Sequence, residues 1–162
     1  MRILGIDPGL QKTGWGIIES TANRLTFIAC GLIKTQAGLP LYARLATLDD
    51  GLSKVINEWT PEEAAIEETF MNNNASSALK LGQARGVCIV TPARAGLSVS
   101  EYAANLVKKS VVGTGHASKD QISMMVKTLL PKCGKPKEDE ADALAIAICH
   151  AHHRGSEKRL VI

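Results

Sequence analysis

Alternating and clustered hydrophobic residues predict β-strands in the first third of the chain and at two later points. Five segments have this pattern: Arg2–Asp7, Thr13–Glu19, Leu25–Lys34, Ala64–Glu67 and Leu97–Ser100. Asp7-Pro8-Gly9 is a turn sequence that follows the first segment, and residues 21–23 fit a hairpin turn. We therefore expect the first three strands to follow one another without an intervening helix.

Apolar residues three and four positions apart predict helices in the rest of the chain. The predicted helices cover residues 40–58, Ala75–Val90, Glu101–Lys109, residues 118–130 and, after a linker at Pro131–Pro136, a segment from Glu138 through Ile148. The last helix is apolar almost all round, so it should be buried. The order βββαβαβααα predicts an α/β fold, with helices on both faces of a five-stranded sheet and a single domain over residues 1–162.

Four carboxylates stand at the ends of these apolar segments. Asp7 and Glu67 end the first and fourth predicted strands, and Asp139 and Asp142 open the last predicted helix. No Lys or Arg lies within four residues of Asp7. Because an ionised carboxylate near an apolar core needs a counter-charge or dense hydrogen bonding, a divalent cation fits this set. The four acids predict a metal site for phosphoryl chemistry at one edge of the sheet.

Each of these acids also has an ordinary structural explanation. Asp-Pro-Gly is most often only a turn, and acids in the first turn of a helix complement its dipole. Asp139 and Asp142 are three residues apart, which places both on one helix face. The convergence of two strand ends and one helix start favours the metal site over three separate coincidences.

Positive charge is concentrated in one part of the sequence. The chain has a net charge of +3, but residues 102–137 hold seven lysines and a single acid, Asp120. Individual lysines on helix faces are usually only solvated, whereas a one-sided segment of this kind attracts a polyanion such as nucleic acid. The lysines of this basic segment are Lys108, Lys109, Lys119, Lys127, Lys132, Lys135 and Lys137.

The cysteines and the hydropathy favour a cytoplasmic location. Cys30, Cys88, Cys133 and Cys149 are scattered without a Cys-x-x-Cys pair, which favours reduced thiols over disulfides or zinc. No apolar run reaches the roughly 20 residues that span a bilayer. We therefore expect a protein without a signal peptide and without a membrane partner.

The predicted helix Ala75–Val90 carries small residues four apart on one face: Ala78, Gly82 and Gly86. A glycine inside a helix costs roughly 1 kcal/mol relative to alanine, so this face should approach another backbone closely. Packing on the sheet and packing on the same helix of a second copy both explain the pattern. The residues alone leave the two explanations open.

Several motifs, in their order and spacing, resemble the RuvC crossover junction endonucleases. They are Ile3 to Gly9 with Thr13-Gly14, Ala65-Ile66-Glu67, Ser77 to Gly86, Val111-Val112-Gly113 and Asp139 to Ala145. Each motif is short, but the ordered set spans nearly the whole chain. The resemblance implies a ribonuclease H-like fold with a mixed sheet, a homodimer, and paired nicking of four-way DNA (Holliday) junctions in recombination and repair. It also implies branch-migration motor proteins as partners.

The resemblance assigns roles to the four acids. Asp7, Glu67, Asp139 and Asp142 match the family's catalytic carboxylates, and this set can hold two Mg²⁺ ions per subunit, with Mn²⁺ as a substitute. Acidic neighbours leave a one-residue error open: Glu68 follows Glu67, while Glu138 and Glu140 flank Asp139. We prefer Glu67 because its spacing follows the motif, and Asp139 because Asp142 lies on the same helix face.

The resemblance also implies contacts with DNA and with a second subunit. Phe70 matches an aromatic residue that contacts bases, although a hydrophobic staple at the start of the next helix explains it equally well. Lys108 and Lys119 match basic residues near the DNA, and Lys119 is expected to support catalysis. The stripe of Ala78, Gly82 and Gly86 matches the family's dimer helix.

Two other functions use the same residues. A ribonuclease H that cuts RNA–DNA hybrids needs the same carboxylates, and a non-catalytic junction-binding module needs the same DNA surface. Four acids argue against the pure binding module, because negative charge near phosphate weakens binding. A phosphotransferase of the actin-like or sugar-kinase type shares a loop like Asp7 to Gly14, but it needs two lobes that a single domain of this size lacks.

Overall fold

The structure, a computed structural model, describes residues 1–68 and 74–157. Its strands are β1 (Arg2–Asp7), β2 (Lys12–Thr21), β3 (Arg24–Lys34), β4 (Glu63–Glu68) and β5 (Ser98–Ala103). Its helices are α1 (Leu41–Trp59), α2 (Ala75–Arg94), α3 (Ala104–Val112), α4 (Lys119–Leu129) and α5 (Glu138–Glu157). A short 3-10 turn at Pro131–Cys133 precedes α5. The predicted order βββαβαβααα is confirmed.

The five strands form one mixed sheet in the order β3-β2-β1-β4-β5. β2 pairs antiparallel with both β1 and β3, whereas β4 pairs parallel with both β1 and β5. The β1–β4 register places Ile6 opposite Ile66. Asp7 and Glu67, the next residue of each strand, therefore lie at the same edge of the sheet.

Helices cover both faces of the sheet, as predicted. Successive residues of a strand point to opposite faces. Leu4 and Ile6 of β1 join the core beneath α1 and α2, whereas Ile3 joins the core beneath α3, α4 and α5. Asp7 is four residues after Ile3 and therefore points to the same face as Ile3, the face that α5 covers.

α5 lies directly on β1 and β2. A Cβ atom on Gly5 would overlap the backbone of Ala143, and one on Gly14 would overlap the carbonyl group of Asp139. These two glycines let the helix backbone approach the sheet, which places the start of α5 beside the end of β1. Every residue of α5 from Ala143 through His150 is buried, so the predicted burial of this helix is confirmed.

Several predicted boundaries were wrong. The helix predicted to end at Lys109 ends at Val112, and the last helix continues past Ile148 to Glu157. Glu101–Ala103, predicted as the start of a helix, belong to β5, because the end of β4 offers them parallel backbone partners. The helix predicted to end at Val90 continues to Arg94 and includes Pro92. Thr91 and Pro92 are buried, so tertiary packing compensates for the hydrogen bond that the proline removes.

All four cysteines carry free thiols, as predicted. Cys88, Cys133 and Cys149 are buried, and burial raises the pKa of each thiol. Within residues 1–68 and 74–157, no helix combines the length and the apolar character that crossing a bilayer requires.

Candidate metal centre and active-site cleft

A cleft of about 550 Å³ opens at the edge of the sheet where β1 and β4 end. All four predicted carboxylates line it: Asp7, Glu67, Asp139 and Asp142. The two strands supply the first two residues, and the start of α5 supplies the others. The fold therefore brings together side chains that lie as far as 135 positions apart in the sequence.

The turn after β1 is held by Thr13, a fully buried residue of β2. Its hydroxyl group donates a hydrogen bond to the carbonyl oxygen of Gly9 at 2.6 Å and accepts one from the Gly9 N–H at 3.2 Å. These two bonds fix the loop that directly follows Asp7. The predicted Asp-Pro-Gly turn thus serves to set the rim of the cleft.

Three of the acids lie close enough to share a metal ion. Carboxylate oxygens of Asp7, Asp139 and Asp142 all lie within 4.8 Å of one another. Oxygen atoms of this kind are the ligands that Mg²⁺ and other hard cations prefer. Glu67 is not a member of this close group, but it lines the same cleft.

The acids destabilise one another when they are ionised. The pKa of Asp7 is raised to about 8, first by burial and then by the charges of Asp142, Glu67 and Asp139. Burial is also the main cause that raises the pKa of Glu67 and of Asp142. The charge of Lys119 acts in the opposite direction and lowers the pKa of all three groups. A bound cation would relieve the remaining repulsion.

Strand alternation distinguishes Glu67 from its acidic neighbour. Ala65 of β4 joins the core beneath α5, whereas Ala64 and Ile66 join the core beneath α1 and α2. Glu67 continues the series of Ala65 and lines the cleft, while Glu68 belongs to the opposite face. The geometry supports the preferred choice of Glu67.

Contacts at the start of α5 distinguish Asp139 from its neighbours. Glu138 forms an ion pair with Lys119, and Glu140 accepts a hydrogen bond of 2.6 Å from the backbone just before the helix. Neither residue lines the cleft. Asp139 does, and its carboxylate lies 3.4 Å from Nζ of Lys12. Sequence patterns did not reveal Lys12, because it lies on β2 and meets Asp139 only when α5 packs on the sheet.

The lysines predicted to contact DNA fall into two groups. Lys108 and Lys119 line the cleft, while the other five lysines of the basic segment are exposed on the surface. Phe70 lies outside the described residues, so base contact and the helix staple both stay predictions.

Arg85 holds the end of β4 from the side of α2. Its Nε–H donates a hydrogen bond of 3.1 Å to the carbonyl oxygen of Glu67. Its Nη2 lies 3.1 Å from the carboxylate of Glu101 on β5, an ion pair without hydrogen-bond geometry. Arg85 therefore fixes the backbone at the residue that enters the cleft. It lies within the Ser77 to Gly86 motif, but sequence spacing could not reveal this contact.

The stripe of small residues on α2 faces outward. Gly82 and Gly86 are exposed, and a Cβ atom added to either would meet no described atom within 4 Å. Leu79 and Val90, which lie on the same side of the helix, are 65% and 46% exposed. Ala78 is half-buried at the edge of this side. The sheet therefore does not explain these glycines, and the first of the two open explanations was wrong.

Comparison with known proteins identifies the family of this chain. The family model described as crossover junction endodeoxyribonuclease RuvC matches residues 3–150. A relative of that description from Paramagnetospirillum magneticum is 60% identical over 99% of this chain and 96% of its own length. Another from Rhodopseudomonas palustris is 60% identical over 99% of this chain and 92% of its own.

Solved structures show the same fold. The structure of T. thermophilus RuvC in complex with Holliday junction substrate has a TM-score of 0.90 and 31% identity, and the match covers 97% of this chain and 96% of that one. A yeast mitochondrial Holliday junction resolvase shares the fold alone, with a TM-score of 0.67, 11% identity, and coverage of 98% of this chain and 86% of that one. With a family model that matches most of its length and relatives that are 60% identical, this chain belongs to the RuvC family of crossover junction endodeoxyribonucleases.

Proposed function

We propose that this protein is a metal-dependent endonuclease that resolves four-way DNA junctions by paired symmetric nicks during homologous recombination and DNA repair. The close group of Asp7, Asp139 and Asp142 carries the proposal, because three carboxylates within 4.8 Å of one another form an arrangement that suits a divalent cation, in a chain of this family. The T. thermophilus relative, solved with a Holliday junction substrate, supports the choice of substrate. Branch-migration motor proteins as partners and a cytoplasmic location are part of the same proposal.

The proposed metal ligands are Asp7, Glu67, Asp139 and Asp142, which together would hold two Mg²⁺ ions per subunit, with Mn²⁺ as a substitute. The donor set fits these hard cations because it consists of carboxylate oxygens whose mutual repulsion a cation would relieve. When bound, such ions supply an activated water and stabilise charge on the phosphodiester. The cleft supplies the carboxylates from a sheet edge and a buried helix, which are rigid elements.

Lys108 and Lys119 are proposed to act on the DNA side of the cleft. Both line it, and the charges of both lower the pKa of Glu67 and of Asp142. The electric field of each lysine therefore acts at the position where a phosphate would meet the acids. We assign to Lys119 the neutralisation of charge that builds up on the phosphate during cleavage. Phe70 is proposed to stack on a base at the junction centre.

The exposed stripe of Ala78, Gly82 and Gly86 on α2 is proposed as the contact between the two subunits of a homodimer. Two cuts related by symmetry need two clefts, and a twofold contact through one helix supplies them. Gly82→Leu should give a monomer in sedimentation and should lose paired cutting. Gly38→Leu is the matched control, because Gly38 is exposed and also has open space around it. A Gly82→Leu protein that sediments as an intact dimer would contradict the interface.

Cleavage of synthetic DNA tests the proposed function directly. A four-way junction should be cut in the presence of Mg²⁺ and should remain intact without it, whereas a linear duplex of the same sequence should resist. An RNA–DNA hybrid serves as a third substrate. Preferred cutting of the hybrid would favour the ribonuclease H alternative, and tight junction binding without any cutting would favour the non-catalytic module.

A further inference from the structure

β4 and α5 are joined by a polar cluster at the end that faces away from the cleft. Glu63 of β4 accepts hydrogen bonds from Nε and Nη2 of Arg154 at 3.0 and 3.1 Å. The same carboxylate lies 2.7 Å from Nε2 of His150, and Nδ1 of His150 lies 2.7 Å from the hydroxyl group of Tyr102 on β5. His150 is only 2% exposed. We call Glu63, Tyr102, His150 and Arg154 the Glu63 clamp.

The clamp and the cleft are connected by two elements of matched length. β4 and α5 run in opposite directions, because Asp142 shares the cleft with Glu67 while His150 contacts Glu63. The four-residue step from Glu63 to Glu67 spans about 13 Å in a strand. The eight-residue step from His150 to Asp142 rises about 12 Å in a helix. A closed clamp at one end therefore brings Asp142 beside Glu67 at the other.

The two ends of β4 and α5 have opposite electrostatic environments. At the cleft, burial and then the charge of Asp142 raise the pKa of Glu67, so the two carboxylates repel each other when both are ionised. At the clamp, the hydrogen bond from Arg154 is the main cause that lowers the pKa of Glu63 to about 2, so Glu63 stays ionised and attached. The contacts at the clamp therefore attach α5 to β4 at the end away from the cleft.

We propose that Glu63, His150 and Arg154 are positioning residues that set the register of α5 on β4 and so hold Asp142 beside Glu67 for metal binding. The inference rests on the proposed function, since it takes these carboxylates as metal ligands. None of the clamp residues lines the cleft, so they act through the helix and the strand and not by touching the metal or the DNA. The packing of Gly5 and Gly14 against α5 fixes the distance between helix and sheet, whereas the clamp fixes the position along the helix axis.

Calorimetric titration of the full-length, DNA-free protein with Mn²⁺ tests this inference without using activity. Glu63→Gln removes the charge that Arg154 and His150 hold, and Arg154→Lys removes the two-point hydrogen bond but keeps a positive charge. Both variants should bind Mn²⁺ about tenfold more weakly than the wild type, as is usual when groups that support metal ligands are lost. In cleavage assays, both should need about tenfold more Mn²⁺ for half-maximal rate and should recover most of the rate at saturating metal.

Two controls separate positioning from general stability. His152→Gln changes an exposed residue on the same turn of α5. Val55→Ala weakens the core on the opposite face of the sheet. Both should keep the Mn²⁺ affinity of the wild type, although Val55→Ala should lower the melting temperature. Should Glu63→Gln not fold, Arg154→Lys alone supplies the test.

The titration also distinguishes failure of this inference from failure of the proposed function. Clamp variants that bind Mn²⁺ as tightly as the wild type would overturn the positioning role and leave the proposed function intact. If the Asp7→Asn variant bound Mn²⁺ as tightly as the wild type, that result would instead contradict the metal site on which the proposed function depends.

Discussion

β4 and α5 meet at two places with opposite electrostatic environments. Glu63 meets Arg154 and His150, and its pKa is lowered to about 2. Glu67, four residues further along the same face of the same strand, meets Asp142, and its pKa is raised, mainly by burial. One strand and one helix therefore carry a compensated carboxylate at one end and, at the other, a pair whose repulsion Lys108 and Lys119 only partly offset. We call this second end the uncompensated end.

The difference shows which carboxylates stabilise the fold and which ones require support from it. Glu63 gains hydrogen bonds on folding, so it holds the elements together. Asp7, Glu67 and Asp142 lose solvation and gain repulsion, so the buried core of α5 must hold them in place. Groups perturbed in this way concentrate at functional sites because the chemistry needs them there.

Removal of one acid from the uncompensated end should have the largest effect on activity. Asp7→Asn should lower the rate of junction cleavage on the order of 10³-fold or more while junction binding survives, because it removes a metal ligand and a repulsive charge together. Single-turnover cleavage and a binding assay in the absence of Mg²⁺ measure the two quantities. Glu68→Gln, on the opposite face of β4, is the control and should cut at the wild-type rate. Inactive Glu68→Gln beside active Glu67→Gln would show that the assignment is one residue off.

The same kind of substitution should change stability in opposite directions at the two ends. Glu63→Gln should lower the melting temperature of the metal-free protein by about 2–8 °C, because it weakens charge-assisted hydrogen bonds worth on the order of 1–2 kcal/mol. Asp7→Asn should raise it by a few degrees at neutral pH, because the amide folds without the cost of holding a proton on a carboxyl group that burial and neighbouring acids keep from ionising. Thermal denaturation with a chelator present checks both. A lower melting temperature in both variants would mean that the carboxylates at the two ends contribute to stability in the same way, which would contradict the proposed difference between them.

Much of the site followed from the sequence because local patterns encode it. Strand ends and a helix start placed Asp7, Glu67, Asp139 and Asp142 at one edge, and the structure puts all four in one cleft. Strand alternation then places Glu67 and Glu68 on opposite faces of the sheet. The neighbours Ala64, Ala65 and Ile66 follow the same alternation between the two cores.

The Glu63 clamp could not be predicted in this way. Glu63 and Arg154 are 91 positions apart, and each looks like an ordinary surface charge in its own segment. The parallel register of β5 with β4 also depended on tertiary pairing, which is why Glu101–Ala103 were assigned to a helix. Contacts of this kind are set by which elements become neighbours, and periodicity along the chain does not record that information.

Stability should depend on pH because of the uncompensated end. Burial and neighbouring acids raise the pKa of Asp7 from its ordinary value of 3.8 to about 8 in the folded protein. Between these values the folded state keeps a proton that the unfolded state has lost, so this group makes the metal-free protein less stable as the pH rises from about 4 to about 8. Mg²⁺ binds the ionised form, so its stabilising effect should grow over the same range.

Melting curves of the wild type and Asp7→Asn, with and without Mg²⁺, check this pH dependence. The variant should show a flatter pH dependence without metal and little response to Mg²⁺. An Mg²⁺ effect in the wild type that is larger at pH 5 than at pH 8 would contradict the assigned protonation of Asp7.

The smallest effects should come from the lysines that surround the uncompensated end. Lys119 lines the cleft and lowers the pKa of Asp7, whereas Lys127 is exposed on α4 and does not line it. Lys119→Ala should reduce turnover by about tenfold and change affinity less, because its charge acts on the developing phosphate charge. It should also move the acid limb of the rate profile to higher pH, since the pKa of Asp7 loses a lowering influence.

Lys127→Ala should weaken binding less than about threefold and reduce the slope of log affinity against log salt by about 1. The two variants could instead lose binding equally, with an unchanged pH profile for Lys119→Ala. Lys119 would then be an ordinary phosphate contact, and the electrostatic difference between the two ends would involve only the carboxylates.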